Sequence, residues 1–282
     1  MPERMIIHWA PIVSTDQPRG DLDVSWRWKA VVGRDRDCDI VLKHPSIPKK
    51  QGHFVRLRNH WWVQDEQEAN GIYLQGKRIH FEAVGQKAID FAMIVRFRIE
   101  TVPMEEEELQ LRAAISAGPE DDARFLVYAD WLQEQGDPVG QLMVSPAPIG
   151  ERWLGPLWGP GIEVKWRHGF LDTVKVRSAL SIYGKNGVFN EVLAHPLSAF
   201  LRTLEIDAVL IAAEVDYFPI EHWVVLLLEA LRTDAPPTLR RLRVRLPAEL
   251  RLGLEANFNA ALARMPGLET KWEDLFTEGA LV

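Results

Sequence analysis

Short β-type segments separated by turn-forming residues dominate the first hundred residues of this 282-residue chain. Apolar and polar side chains alternate along residues 24–31, as they do in a strand that buries one face. Further segments of this kind, each bounded by Gly, Pro, Asn or Asp, are residues 39–42, 52–57, 60–64, 71–74 and 92–101. Strands this short and this closely spaced are typical of an antiparallel sandwich. We therefore predict an all-β domain over residues 1–103.

The charge balance changes at the end of this domain. Residues 1–103 carry 16 basic and 13 acidic side chains, whereas residues 104–282 carry 17 and 27. A mildly basic domain suits an anionic ligand, and an acidic remainder argues against a nucleic-acid partner. The longest apolar run without a charge, residues 223–228, is far shorter than the roughly 20 residues of a membrane span. The N-terminus also lacks the pattern of a signal peptide, so we expect a cytoplasmic protein that does not bind membranes.

Residues 104–150 have helical periodicity. The acidic run at residues 105–108 is favourable in a first helical turn. A second helix is predicted within DDARFLVYADWLQEQGD (121–137), where Gly136 provides the stop. The residues on its apolar face are Phe125, Tyr128, Ala129 and Leu132.

The last part of the chain, residues 151–282, contains a weak internal repeat. The segments FLDTVKV (170–176), FLRTLEI (200–206), TLRRLRV (238–244) and GLETKW (267–272) begin 30, 38 and 29 residues apart. Helical stretches at residues 221–232 and 248–263 separate the later copies. Each unit leaves apolar surface for its neighbour, and we therefore predict a short α/β solenoid.

Three motifs follow one another in the first domain: VVGRDRDCDIVL (31–42), HPSIPKK (44–50) and ANGIYLQGKRI (69–79). Their order resembles that of the forkhead-associated (FHA) domain, which binds phosphothreonine. The resemblance implies that Arg34 binds the phosphate, that Gly33 permits a close approach, and that Asn70 holds the backbone of the bound peptide. Lys49 and Lys50, in the middle motif, add positive charge to this site. The predicted phosphopeptide-binding residues are Gly33, Arg34, Lys49, Lys50, Asn70 and Gly71.

The chain departs from the FHA pattern at specific positions. Pro48 aligns with the family's serine, and proline has neither a hydroxyl nor a backbone N–H to donate. Gln51 aligns with the family's structural histidine, although His53 lies nearby. Ala69 stands where a Ser or Thr often precedes Asn-Gly, and Glu68 before it places an anion near the expected phosphate. Two interpretations of Arg34 therefore stay open, a phosphate ligand or a local ion-pair partner of an aspartate at position 35, 37 or 39.

The other two domains resemble known families as well. Leu126–Leu142 is similar to the signature of the bacterial repeat-companion domain, which accompanies leucine-rich or similar repeats. The repeated segments are similar to the strands of leucine-rich repeats. These resemblances imply a C-terminal solenoid that holds a protein partner.

No segment has a convincing catalytic or metal-binding pattern. Residues 71–78 nearly fit a P-loop, but Arg78 replaces the hydroxyl that would bind Mg²⁺. The eight histidines form no HExxH motif, and Cys38 is the only cysteine, which excludes an internal disulfide and a multi-cysteine zinc site. We therefore expect no enzyme, no metal and no cofactor. An active site around Asp130 and His168 is the least favoured alternative.

The sequence thus predicts a multidomain protein with an all-β FHA-like sandwich (1–103), a helical repeat-companion segment (104–150) and a leucine-rich-repeat-like α/β solenoid (151–282). The predicted function is that of a non-catalytic adaptor that recognises a phosphothreonine-containing protein in Ser/Thr kinase signalling. The alternative is a phosphate-independent structural subunit of a larger assembly, such as a secretion or defence complex. The substitutions that favour this alternative are Pro48, Gln51, Glu68 and Ala69.

Overall fold

A computed structural model describes residues 3–12, 19–57, 60–66, 70–85, 87–145, 151–159, 161–177, 188–207, 220–246, 259, 262 and 267–274. The chain has two compact units, one of residues 1–109 with 152–155 and one of residues 110–151 with 156–282. Among the described residues, no helix has the length and apolar character needed to cross a membrane.

The first unit contains two facing β-sheets. Their strands are β1 (Glu3–Pro11), β2 (Gly20–Asp23), β3 (Lys29–Gly33), β4 (Ile40–Val41), β5 (Gly52–Leu57), β6 (His60–Asp65), β7 (Ile72–Leu74), β8 (Lys77–Ile79), β9 (Phe81–Ala83), β10 (Ile89–Phe91) and β11 (Val95–Pro103). One sheet has the order β2-β1-β11-β10-β7-β8, and the other has the order β4-β3-β5-β6-β9. The predicted β-sandwich is therefore present.

Aromatic side chains from both sheets fill the core of the sandwich. Phe54, from the second sheet, and Phe91 and Phe97, from the first, have no exposed surface. Their ring centroids lie 4.6 to 5.6 Å apart in tilted arrangements. Burying each ring stabilises the fold by about 1.5–3 kcal/mol, so this contact ties the two sheets together.

The strand predicted at residues 24–31 is wrong in its first half. Residues 24–28 form turns, and the strand begins only at Lys29. Trp26 and Trp28 are each 5% exposed. The alternation of apolar and polar residues therefore comes from two buried tryptophans in a turn and not from a strand. The strand β1, which the sequence pattern did not predict, pairs with β11 along its whole length, from Glu3 opposite Pro103 to Pro11 opposite Val95.

The helices are α1 (Glu106–Ala117), α2 (Asp122–Glu134), α3 (Pro138–Val144), α4 (Glu151–Leu154), α5 (Val188–Leu193) and α6 (Ile220–Asp234). The predicted apolar face of α2 is confirmed, with Trp131 as a further buried residue. Asp121 caps this helix by accepting a hydrogen bond from the N–H of Ala123. Gly136 follows its C-terminus with a φ of +71°, a left-handed conformation that favours glycine.

The described residues of the second unit form a five-stranded sheet, in the order β12 (Ile162–Arg167), β13 (Phe170–Val176), β14 (Thr203–Asp207), β15 (Arg241–Leu246) and β16 (Glu269–Asp274). The strands β12 and β13 are antiparallel, whereas β13 to β16 are parallel neighbours. Equivalent positions of the sequence repeat lie side by side: Val174 opposite Leu204 and Leu204 opposite Leu242. The helix predicted at residues 221–232 lies within α6, and the one at 248–263 lies almost entirely outside the described residues. A solenoid stays a prediction.

Candidate functional site

Arg34 follows β3 directly, and its backbone and side chain both contact the loop at residues 44–50. Its N–H donates to the carbonyl oxygen of Pro48 at 2.8 Å, and the N–H of Asp35 donates to that of Lys49 at 3.1 Å. The Nε of Arg34 donates to the carbonyl oxygen of Ile47 at 3.1 Å. The residue is nevertheless exposed. The guanidinium is therefore held at one end while the rest of it stays open to solvent.

One of the aspartates near Arg34 in sequence, Asp39, has another partner. Asp39 has a fully buried side chain that pairs with Arg27 and accepts a hydrogen bond from the N–H of Val31 at 2.9 Å. No carboxylate of the described residues lies within ion-pair distance of the Arg34 guanidinium. The alternative in which Arg34 pairs with a neighbouring aspartate is therefore not observed in the described part of the chain.

Gly33 lies in close contact with the same loop. A Cβ atom at this position would be 2.1 Å from the carbonyl oxygen of Lys49. The carbonyl oxygen of Gly33 also accepts a hydrogen bond from the N–H of Leu42 at 2.8 Å. Only glycine permits this approach of the two backbones.

Asn70 and Gly71 contact the loop from the other side. The Nδ2 of Asn70 donates to the carbonyl oxygen of Ser46 at 2.5 Å. Gly71 has a φ of +59°, and a Cβ atom there would lie 2.7 Å from the Nε of Arg78. The Asn-Gly pair thus needs glycine for its backbone conformation.

The carbonyl oxygens of residues 46 to 49 are all engaged. In chain order they accept hydrogen bonds from Asn70 Nδ2, Arg34 Nε, the Arg34 N–H and the Asp35 N–H. Ser46, Lys49 and Lys50 are exposed. The structure therefore brings the predicted site residues Gly33, Arg34, Lys49 and Asn70 together around one ordered loop. Lys50 and Gly71 each adjoin one of these residues in the chain.

The thiol of Cys38 lies under this loop. Its Sγ is 3.3 Å from the carbonyl oxygen of Lys49, and the residue is 7% exposed. Burial raises the pKa of the Cys38 thiol. Because a thiolate is the reactive form of cysteine, the surroundings of Cys38 do not favour a nucleophile.

The residues that depart from the FHA motif have structural roles. Gln51 is fully buried, and its Nε2 lies 3.5 Å from the Oδ1 of Asp65. His53 is also buried, and its Nδ1 lies 2.9 Å from the Oε1 of Glu66. Burial, followed by the charge of Lys29, lowers the pKa of His53. Glu68 and Ala69 lie outside the described residues.

Three further residues of this region were not predicted from the sequence. The carbonyl oxygen of Ser46 accepts the hydrogen bond of Asn70, and the carboxylate of Asp65 contacts Gln51 and Arg78. A polar residue at the end of a strand was the only available signal for Asp65. In the sequence, Arg78 was notable only because it replaces the hydroxyl residue of a P-loop.

The alternative active site around Asp130 and His168 has no support among the described residues. His168 Nε2 lies 2.8 Å from Asp122 Oδ1, and hydrogen bonds from His168 and Arg167 lower the pKa of Asp122. Asp130 is exposed on α2. A nearby surface depression, lined among others by Phe125, Phe170 and Arg202, includes neither Asp130 nor His168 in its lining. The described residues also include no cluster of three or more His, Cys, Asp or Glu side chains placed to hold a metal ion.

A match to a known sequence family includes all three parts of this site, namely Gly33-Arg34, the loop at 44–50 and Asn70-Gly71. Residues 30–84 match the family model of the FHA domain. This part of the chain is an FHA domain. The predicted resemblance to the FHA domain is confirmed for these residues.

Solved structures with similarity to the chain cover about a third of it. EmbR from Mycobacterium tuberculosis, in complex with a low-affinity phosphopeptide, is 18% identical over 36% of this chain and 26% of that chain, with a TM-score of 0.29. The FHA domain of a hypothetical protein from Arabidopsis thaliana is 17% identical over 37% of this chain and 90% of that chain, with a TM-score of 0.33. The FHA domain of the CT664 protein from Chlamydia trachomatis is 20% identical over 36% and 99%, with a TM-score of 0.29. No curated protein matches the chain.

Proposed function

We propose that the protein is a non-catalytic cytoplasmic adaptor whose FHA domain binds a phosphothreonine-containing segment of a partner in Ser/Thr kinase signalling. The placement of Arg34 carries this proposal. Its guanidinium is exposed, is held by the carbonyl oxygen of Ile47, and has no carboxylate partner among the described residues. A phosphothreonine supplies a charge of about −1.5 to −2 and three acceptor oxygens. It is therefore a suitable anionic ligand for the Arg34 guanidinium.

The remaining donors of the site suit this ligand. Arginine has five N–H donors, and Arg34 uses one of them on Ile47. The others can form charge-assisted hydrogen bonds to phosphate oxygens. Lys49 and Lys50 add positive charge on the same loop. Within the described part of the chain the hydrogen bond of the Asn70 side chain is made by Nδ2, which leaves Oδ1 to accept from the N–H of a bound peptide.

The missing serine hydroxyl lowers the expected affinity. Pro48 has no donor, and its carbonyl oxygen is already engaged by Arg34. A lost hydrogen bond to a charged group costs about 1.5–3 kcal/mol, or roughly tenfold to a hundredfold in affinity. The exposed hydroxyl of Ser46, two residues earlier, is the nearest replacement along the loop. We therefore expect weaker binding than a complete FHA motif would provide.

The test is binding of the full-length protein to a degenerate phosphothreonine peptide library, with the unphosphorylated library as the control. We expect phosphate-dependent binding that Arg34→Ala weakens about tenfold or more, because charge-assisted hydrogen bonds are lost. Arg36→Ala is the matched variant, since it removes the same charge from an exposed residue two positions away. Equal affinity of wild type and Arg34→Ala would refute the assignment of Arg34.

The second unit is proposed to hold another protein. Its parallel strands come from the repeated segments, and we propose a leucine-rich-repeat-like solenoid preceded by a repeat-companion domain. Deletion of residues 156–282 should then abolish capture of that protein while phosphopeptide binding by the first unit is retained.

A phosphate-independent structural subunit is the second candidate. The observation that favours it is Pro48, which leaves the loop without the donor that the family uses. A stable partner that stays bound to the purified protein after phosphatase treatment would decide for this candidate. Release of the partner by phosphatase would decide for the adaptor.

A further inference from the structure

A buried carboxylate lies beneath the two loops of the proposed site. Asp65 ends β6, and its side chain has no exposed surface. Its backbone N–H donates to the carbonyl oxygen of His80 at 2.9 Å. The Nε2 of Gln51 lies 3.5 Å from one carboxylate oxygen and the Nη2 of Arg78 lies 3.4 Å from the other. These contacts are long for hydrogen bonds, so the attraction depends mainly on the charge of the carboxylate.

Gln51 connects this carboxylate to the loop at residues 44–50. It follows Lys50 directly and is fully buried. Its N–H donates to the carbonyl oxygen of Val32 at 2.9 Å, and its own carbonyl oxygen accepts from the N–H of Glu66 at 3.2 Å. The C-terminal end of the loop is therefore anchored between β3 and the residue after β6.

Arg78 connects the same carboxylate to the Asn70-Gly71 turn. It lies opposite Tyr73 in the β7–β8 hairpin. Its Nε and Cζ lie 2.7 and 3.0 Å from the place where a Cβ of Gly71 would be. The turn thus rests directly on the guanidinium, and Asn70 reaches from this turn to Ser46 in the other loop.

We infer that Asp65 is a positioning residue that holds both binding loops in their relative places, the first through Gln51 and the second through Arg78. Asp65 itself contacts no part of a bound peptide. Loops that are held in place before binding lose less conformational entropy when the ligand binds. The expected effect of Asp65 on peptide affinity rests on the proposed function. Its expected effect on the position of the loops does not.

The experiment compares Asp65→Asn with Asp90→Asn in the full-length protein. Asp90 is the matched control because it is also a buried aspartate of the sandwich, with Arg96 as partner at 2.7 and 2.9 Å. Both variants should lower the melting temperature. Only Asp65→Asn should weaken binding of the selected phosphopeptide, by about tenfold. Only this variant should also speed the hydrogen exchange, measured by NMR, of the Arg34 and Asp35 amides that donate to the loop.

Each outcome decides between the two claims. Equal losses of affinity and equal exchange rates in both variants would mean that Asp65 contributes only to general stability, which overturns the inference. A wild-type protein without phosphopeptide binding would refute the proposed function, and the exchange rates would still test the inference. If Asp65→Asn fails to fold, Arg78→Lys takes its place. Lysine keeps the positive charge but lacks the guanidinium that lies next to Gly71. Unchanged loop exchange in that variant would likewise overturn the inference.

Discussion

Replacement of Gly33 by alanine tests how closely the binding loop packs on β3. The new Cβ would lie 2.1 Å from the carbonyl oxygen of Lys49 and 2.8 Å from the Cα of Lys50. Both are backbone atoms, so no side-chain rotation relieves the clash. Ordinary van der Waals contact begins at 3.4 Å, which means that the loop must shift by about 1.3 Å.

The size of the effect follows from the contacts that this shift breaks. The hydrogen bonds from the N–H groups of Arg34 and Asp35 to the loop, at 2.8 and 3.1 Å, contribute about 1 kcal/mol each. Forcing a methyl group into the space costs about 1–3 kcal/mol. The lower entropy of the unfolded alanine chain offsets about 0.4–1 kcal/mol. The φ of Gly33 is outside the left-handed region and adds no strain, so we expect a net loss of about 2–5 kcal/mol.

The assay is hydrogen exchange of the amides of β3 and β5 in the full-length protein, which reports the free energy of opening of this sheet. Gly85→Ala is the control, because a Cβ there meets no atom within 4 Å and its φ is not left-handed. This control should change the free energy of opening by no more than about 0.5–1 kcal/mol. Equal free energies of opening in the two variants would show that the loop shifts without cost, and would refute the argument from close approach.

Two further predictions concern pH and the second unit. Burial, followed by the charge of Lys29, lowers the pKa of His53 from 6.5, so the contribution of His53 to stability is present above that pH and is lost as the pH falls through the folded-state pKa. The free energy of unfolding should therefore fall more between about pH 7.5 and pH 5.5 in the wild type than in His53→Gln, as followed by urea unfolding; equal falls would contradict this. Phe200 is 4% exposed, with its ring centroid 4.7 Å from that of Phe170, and Phe200→Ala should destabilise the second unit by about 3–5 kcal/mol. Leu126→Ala, at a residue 47% exposed, should cost less than about 1 kcal/mol, and a similar cost for both variants would argue against an aromatic core around Phe200.

Strands and helices were predictable where the pattern was regular. The periodicity of α2 identified its buried face, and the repeat spacing of 30 and 38 residues matches the pairing of Thr203 with Thr173 and with Arg241. The prediction was wrong at residues 24–28, because two buried tryptophans in a turn produce the same alternation as a strand. The strand β1 lacked a regular alternation, and its partner β11 is about ninety residues away in the chain, so only the pairing reveals it.

The candidate site was predictable only in part. The FHA motif requires particular residue types at fixed positions. This is why the sequence alone identified Gly33, Arg34, Asn70 and Gly71. Asp65, by contrast, is one of many aspartates of the sequence, and its neighbours in the chain do not distinguish it.

The order of amino acids carries the local features of this protein, because strand alternation, helical faces and glycine turns act over only a few residues. It also carries the FHA motif, whose residue types are readable one by one. The partner of each charge depends instead on which strands come together and on how completely they exclude water. Arg34 stays exposed beside several aspartates, whereas Asp39 and Asp65 are buried with arginines 12 and 13 residues away. Burial makes an unpaired charge costly, so these pairings are settled by the packing of the sheets and not by proximity in the chain.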